Sequence, residues 1–593
     1  MKDLLMVYRH TFALAWRVAP VITVINLVMI VLISGSAALL ASSQRLAIDA
    51  AGEGSPAGIW LAAALGVLAY AGTFTLMRIQ GEIRQDLRVR VARELDHEVL
   101  ALAAGIPTLE HLERPDFLDR VTNLRRGTWA LASAVWFAAG MTGAAIALVG
   151  SLWLLAGVHP AMPVLACFAV PLFLLARKGN QTQRLLRDET AEPERHERQL
   201  HEMCLRPEPA KELRIAGSGP ELSRRAGALW EETSRAWVRG RARVVAREAI
   251  GWTILLAGLG GALALALSMY AQGSAGLGDL VLIISLSAAL SQQIQNIMQG
   301  YTMVADAGHV TGHYRWLKEY GAAFTTGGQA PPDRLAEGIS LRDVSFTYPG
   351  TDTPVLSGID LDLPAGSTVA LVGINGAGKT TMIKLLTGMY RPDGGVISAD
   401  GTPLAGLDAR RWADRCAGVF QDFARLQLLV RENVGAGDLP RIDDHEAVAA
   451  AVERAGAQPL VDRLPGGLDT QLGTLFQGAD LSFGQWQKLA LARGMMRRKP
   501  LLLILDEPTS ALDPQAEHEL FEIFTAQARQ AAREQGAVTV IVSHRFSTVT
   551  MADRIVVIEE GRIAEQGAHA DLLASGGTYA RLYTAQAQAY AGA

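Results

Sequence analysis

At 593 residues, 50% hydrophobic and 19% charged, the chain is too long for one folding unit and too apolar for a disordered protein. A net charge of -4 provides no basic field for a phosphate backbone, so no nucleic-acid partner is expected. The three cysteines, Cys167, Cys204 and Cys416, stand far apart without metal-ligand spacing, which argues against a disulfide framework and a zinc module.

A membrane-crossing helix needs about 20 consecutive apolar residues. Six stretches qualify: Val18–Ala41, Ala57–Met77, Ala130–Gly157, Ala161–Ala176, Gly251–Ala271 and Leu280–Val304. None contains Asp, Glu, Lys or Arg, whereas a soluble bundle would need charged outer faces. The fourth is short by itself and follows the third after the turn Gly157-Val158-His159-Pro160.

Basic residues set the orientation. Lys2, Arg9 and Arg17 precede the first span, and Arg78, Arg84, Arg88, Arg90 and Arg93 follow the second. The segment after the fourth span, from Arg177 and Lys178 to Arg247, is richer still. The opposite loops (Ser42–Pro56, Gly157–Pro160, Gln272–Asp279) hold one arginine, Arg45. Both termini are therefore expected on the cytoplasmic side, and no cleavable signal peptide is expected. The two long cytoplasmic segments have helical composition, each punctuated once, at Gly105-Ile106-Pro107 and Arg206-Pro207-Glu208-Pro209. Membrane helices should continue into the cytoplasm and bend there.

Span six is loaded with amides and hydroxyls. Ser291, Gln292, Gln295, Asn296 and Gln299 are the candidates for lining a cavity, with Gln292, Gln295 and Gln299 expected on one helical face. The alternative is ordinary hydrogen bonding between helices. Gly258, Gly260 and Gly261 in span five read as close-packing positions.

Residues 321–338 read as a linker between a membrane domain, 1–320, and an α/β domain, 339–593. In the latter, the strand candidate Ser367–Val372 leads into Gly373-Ile-Asn375-Gly376-Ala377-Gly378-Lys379-Thr380-Thr381, a P-loop pattern. Its glycines let backbone N–H groups close around phosphates, Lys379 can reach the β- and γ-phosphates, and the Thr380 hydroxyl can bind Mg²⁺. ATP and Mg²⁺ are therefore expected. The apolar run Leu501–Leu505 ends in Asp506-Glu507, a costly placement for two carboxylates unless a metal or substrate uses them. Asp506 suits Mg²⁺, and Glu507 suits polarising an attacking water. Val538–Val542 ends in Ser543-His544, where His544 is a candidate γ-phosphate contact.

With these residues in place, the second half resembles the nucleotide-binding domain of ABC transporters, and the chain resembles an exporter-type half transporter. The signature Leu481-Ser482-Phe483-Gly484-Gln485 carries the resemblance, with Tyr348 in Phe346-Thr-Tyr-Pro, Gln421 in Val-Phe-Gln-Asp, and Ser510-Ala-Leu-Asp513. The resemblance implies a six-helix all-α transmembrane domain followed by an α/β P-loop ATPase domain with helical and antiparallel β subdomains. It implies that Tyr348 stacks on adenine and that Gln421 senses Mg²⁺ and water. Ser482, Gly484 and Gln485 would approach the γ-phosphate held by a second subunit, with Asp513 at the seam.

Two departures from the family pattern stand out. Phe483 occupies a position usually held by Gly or Ser, and Phe476 replaces an acidic residue. The stretches Leu468–Gln477, Gly484–Lys488, Phe420–Phe423 and Arg431–Val434 are similar to the lantibiotic and peptide-antibiotic exporter branch. With the first cysteine, Cys167, inside a span, no leader-peptide cleavage is expected on this chain. Leu109–Arg120 and Ala210–Gly217 resemble cytoplasmic coupling helices. The resulting expectation is ATP-driven export of a peptide-like cargo across a bacterial inner membrane by a homodimer. Export or flipping of a lipid or hydrophobic drug, uptake, a heterodimer, and a membrane-anchored regulatory ATPase are the alternatives.

Overall fold

The computed structural model describes residues 2–325, 328–507, 514–543 and 546–591. Two compact units emerge: Met1–Leu100 with Thr122–Trp316, and Ala101–Val121 with Leu317–Ala593.

The first unit is helical and holds all or most of α1 (Lys2–Val18), α2 (Pro20–Gly52), α3 (Pro56–Ala104), α4 (Pro115–Ala156), α5 (Leu165–Leu205), α6 (Pro207–Ile215), α7 (Gly219–Ala271) and α8 (Leu277–Thr325). Six helices are long and apolar enough to cross a membrane, and each contains most or all of one expected span. At 49 residues, α3 is roughly 70 Å long, more than twice the hydrocarbon thickness of about 30 Å. It ends just before Gly105-Ile-Pro107, and α5 ends just before Arg206-Pro207, where proline limits continuation. The expected outer loop Ser42–Pro56 is shorter than its sequence indicated, because α2 runs on to Gly52.

Helices α5 and α7 approach closely at glycines. A Cβ on Gly251 would lie 2.8 Å from the Leu172 Cα, and one on Gly258 would lie 2.6 Å from the Phe168 ring. Gly260 and Gly261 face no atom within 4 Å, so of the three expected packing glycines Gly258 alone packs closely. Trp60 and Trp153 are exposed, as apolar side chains can be in contact with lipid.

The second unit holds two sheets. A four-stranded antiparallel sheet is ordered β2-β1-β4-β5, with β1 Gly338–Phe346, β2 Leu356–Pro364, β4 Gly394–Ala399 and β5 Thr402–Pro403. The six-stranded sheet is ordered β10-β9-β3-β8-β7-β6. Its strands are β3 Thr368–Val372, β6 Cys416–Val419, β7 Leu502–Asp506, β8 Val538–Val542, β9 Arg554–Glu559 and β10 Arg562–Gly567. Strands β6, β7, β8, β3 and β9 are parallel, and β10 is the antiparallel edge. Parallel strands buried on both faces read as continuous apolar runs, and β7 and β8 are buried throughout.

Helix α9 (Lys379–Leu386) follows β3. A helical region follows β5: α10 (Ala409–Asp414), α11 (Val430–Gly435), α12 (His445–Arg454), α13 (Gln458–Val461) and α14 (Phe483–Gly494). The expected linker 321–338 is partly structured. Helix α8 continues to Thr325, and Leu335 is buried in the core beside Ile339 and Leu363.

Candidate functional site: a nucleotide site and a membrane cavity

Parallel pairing brings the carboxyl ends of four strands to one edge of the sheet. Leu371 pairs with Val542, Val542 with Asp506, and Leu505 with Val419. The P-loop after β3, Ser543 after β8, Asp506 and Glu507 at the end of β7, and Gln421 just past β6 therefore share that edge, where α/β folds bind ligands.

The loop itself depends on glycine. Gly376 and Gly378 have φ of 84° and 106°, and a Cβ on Gly378 would meet Leu356 at 2.6 Å. Asn375 and Gly376 are exposed at the tip, while Ala377, Lys379 and Thr381 are buried. The Lys379 ammonium donates to the carbonyl oxygens of Gly373 (2.8 Å) and Ile374 (3.0 Å), which folds it back over the loop. Burial lowers its pKa, and the charges of Glu507 and Asp506 oppose that shift.

Asp506 is 1% exposed, and its Oδ1 has no hydrogen-bond partner. Its pKa is pushed up to about 6, first by burial and then by the charge of Glu507, with Asp422 adding to the shift. The Thr380 hydroxyl and Lys379 pull it the other way. An orphaned buried carboxylate oxygen beside a hydroxyl fits a hard divalent cation, so Asp506 and Thr380 are suited to Mg²⁺. Glu507 has φ of 47°, uncommon for a residue with a side chain, and its N–H donates to Val542 O at 3.0 Å. The turn breaks the strand at the carboxylate expected to act on water.

Ser482 is the N-cap of α14. Its hydroxyl accepts from Gln485 N at 3.3 Å, and the Gln485 side chain accepts from Ser482 N at 2.8 Å. The helix starts at Phe483, where this reciprocal cap closes its first turn. Gly484 lies in that turn, and Gln421 is exposed. The Tyr348 hydroxyl is 3.1 Å from Thr381 Oγ1, its ring meets Phe346 and Tyr390 edge-on, and Lys384 Nζ lies 5.3 Å from the ring centre. His544, Ser510 and Asp513 lie outside the described residues.

Residues Ala101–Val121 belong to this same unit. Leu109 N donates to Met389 O at 2.9 Å, Arg410 donates to Gly105 O at 2.9 Å, and Glu113 lies 3.6 Å from Lys384. The first expected coupling element is thus anchored at the end of the P-loop helix. Lys384 and Asp422 are contributors that motif reading passed over; charge next to a motif was the available signal.

In the membrane unit, α2, α3, α4 and α8 line a cavity of about 720 Å³. Gln292, Asn296 and Gln299 line it. Ser291 and Gln295 do not: at about 100° per residue they fall outside the arc of α8 that runs from Gln299 through Gln292 and Asn296 to Gln293. Gln293 was missed: it lines the cavity while donating to Ser151 Oγ at 3.1 Å. Arg84 also lines it, although its sequence position had marked only topology.

Residues 356–510 match the ABC transporter family, so this segment is an ABC-type ATPase module with the ATP- and Mg²⁺-binding features just described. The chain is 43% identical over 249 residues to a protein named ATP-dependent lipid A-core flippase from Chromobacterium violaceum, covering 42% of this chain and 41% of that one. It is 36% identical over 326 residues to one of the same name from Aromatoleum aromaticum, covering 55% and 52%. The chain thus spans about half the length of the curated relatives it matches. A solved structure, described as a bacterial Atm1-family ABC exporter with ATP bound, superposes with a TM-score of 0.80 at 24% identity, over 95% of this chain and 98% of that one. The fold is that of an ABC exporter: six apolar helices followed by the nucleotide-binding domain. The relatives are named for a lipid, not for a peptide antibiotic, and do not support the peptide-exporter branch expected from the sequence.

Proposed function

We propose that this chain is one half of an ATP-driven exporter in a bacterial inner membrane, with both termini cytoplasmic, and that it flips or exports a lipid-like amphiphile. The observation that supports this most is the pairing, in one chain, of a built nucleotide site with six apolar helices, four of which line a cavity of about 720 Å³. That volume suits a ligand larger than an ion. The names of the relatives favour a lipid over the peptide-like cargo, which becomes the second reading.

The P-loop backbone and Lys379 hold the phosphates, with Tyr348 beside the base. Asp506 and Thr380 hold Mg²⁺, which when bound neutralises charge on the phosphate oxygens. Glu507 accepts a proton from the attacking water, and Gln421 and His544 orient water and γ-phosphate. Ser482, Gly484, Gln485 and Asp513 complete the site of a second copy. One P-loop and one signature per chain make the working unit a pair, and the retained Glu507, Ser482 and Gly484 favour a homodimer.

The test is ATP turnover by the full chain in lipid nanodiscs beside Glu507→Gln, followed by translocation of fluorescent lipid and fluorescent peptide in inside-out vesicles. Turnover abolished by the substitution, with lipid moved in preference to peptide, is the expected result. Turnover without movement of either would favour a regulatory ATPase, and movement of peptide alone would restore the peptide reading.

A further inference from the structure

We infer that the membrane cavity recognises the anionic headgroup of an amphiphile through Arg84. This rests on the proposed export function and adds the chemistry of the cargo.

The stretch of α3 from Arg78 to Arg90 holds four arginines and two carboxylates. Both carboxylates are engaged elsewhere: Glu82 lies 3.5 Å from Arg78, and Asp86 lies 2.9 Å from Arg90. Arg84 and Arg88, one turn apart, therefore have no carboxylate partner among the described residues. Each guanidinium instead lies against an aromatic ring of α4, Arg84 at 5.5 Å from Phe137 and Arg88 at 4.9 Å from Trp129. The Nε atoms of both are buried without a hydrogen-bond partner.

Arg84 alone among the four lines the cavity, whose described lining contains no Asp or Glu. A half-buried guanidinium whose Nε is buried without a partner, and which has no counter-ion among the described residues, is matched by a phosphate or carboxylate oxygen. Beside it, Gln292, Asn296 and Gln299 offer amides, while Ile33, Phe74 and Met141 supply apolar wall. The same space thus serves a charged head, polar linkages and an alkyl tail. A cationic or uncharged amphiphile would leave the Arg84 charge uncompensated.

The test uses the full chain in nanodiscs and a tail-brominated dodecyl phosphate. Binding is read as saturable quenching of cavity-lining Trp136, identified as the signal absent in Trp136→Phe. The same brominated tail carrying a hydroxyl or a trimethylammonium head, and inorganic phosphate as competitor, form the other arms. Wild type should bind the phosphate amphiphile at least about tenfold tighter than the other two heads, the scale of one charge-assisted contact. Arg84→Gln should remove that preference, Arg84→Lys should keep most of it, and Arg90→Gln should leave it intact.

Equal affinity for all three heads in wild type overturns the inference, as it would if a partner subunit's carboxylate neutralised Arg84. Selectivity retained in monodisperse Arg84→Gln overturns it too, and if that variant does not fold, loss of selectivity in Arg84→Lys overturns it. Displacement by millimolar inorganic phosphate would identify a free-anion site and reject the amphiphile. Because binding is read without ATP, selective binding by a chain that does not turn over ATP would reject the export function and leave the site standing.

Discussion

The rings of Phe483 and Phe423 lie 5.2 Å apart, and the Arg425 guanidinium lies 5.2 Å from the Phe483 ring centre. Phe483 is the departure from the usual signature, and its bulk packs onto the loop that carries Gln421. Arg493 of the same helix donates to Ala424 O at 2.9 Å, so α14 holds that loop at two points.

Phe483→Gly should therefore loosen the Gln421 loop. Aromatic and cation–π contacts of this kind contribute about 1 kcal/mol. If that energy positions Gln421, turnover falls about fivefold while ATP affinity holds, and Phe483→Tyr retains the rate. Steady-state turnover and nucleotide titration of the three proteins separate the effects; an unchanged rate in Phe483→Gly rejects the coupling.

Asp506 should cost stability for the sake of metal binding. Its folded pKa of about 6 lies above the ordinary 3.8, so the folded state holds the proton more tightly. The penalty is absent below about pH 4. It grows as pH rises toward 6 and is then constant, at roughly 3 kcal/mol for a shift of about two pH units. Asp506→Asn should raise the melting temperature of the nucleotide-free chain at pH 7.5, keep about a third of that effect at pH 4.5, and lose the stabilisation that Mg²⁺ adds to ATP. Melting curves at the two pH values, with and without Mg²⁺-ATP, test all three.

Glu507 combines strain and chemistry at one residue. Glu507→Gln should keep ATP binding and reduce turnover by roughly 100-fold or more. Glu507→Gly should be equally inactive but more stable by up to about 1 kcal/mol, since glycine adopts the positive φ without steric cost. Chemical denaturation beside turnover reads both; a less stable glycine variant would show that the conformation carries little strain.

The two glycine environments on α7 predict opposite outcomes. Gly258→Ala places a methyl against Phe168 and should cost about 1–3 kcal/mol, whereas Gly260→Ala meets open space and should be tolerated. Thermal stability in the same detergent or nanodisc compares them directly. Equal tolerance at both would mean that helix α5 yields to the added methyl.

Much of this protein was determined by its sequence alone. Six uncharged apolar runs have to be helices in hydrocarbon, where each N–H and C=O must be paired locally. The P-loop, signature and Asp506-Glu507 were equally legible, because phosphate and metal chemistry admit few residue types at fixed spacing. What only the tertiary structure decided depends on which elements meet. Parallel pairing gathers residues from Gly373 to Ser543 along one edge. Packing leaves one Asp506 oxygen unpartnered and sets Phe483 on Phe423. On α3, charge pairing takes up Glu82 and Asp86 and helix rotation turns Arg84 into the cavity, while the rotation of α8 brings Gln293 in and leaves Ser291 and Gln295 out. Spacing along a chain specifies the chemistry a residue can do, but its partners come from distant segments, and burial and charge neutralisation are settled when those segments pack.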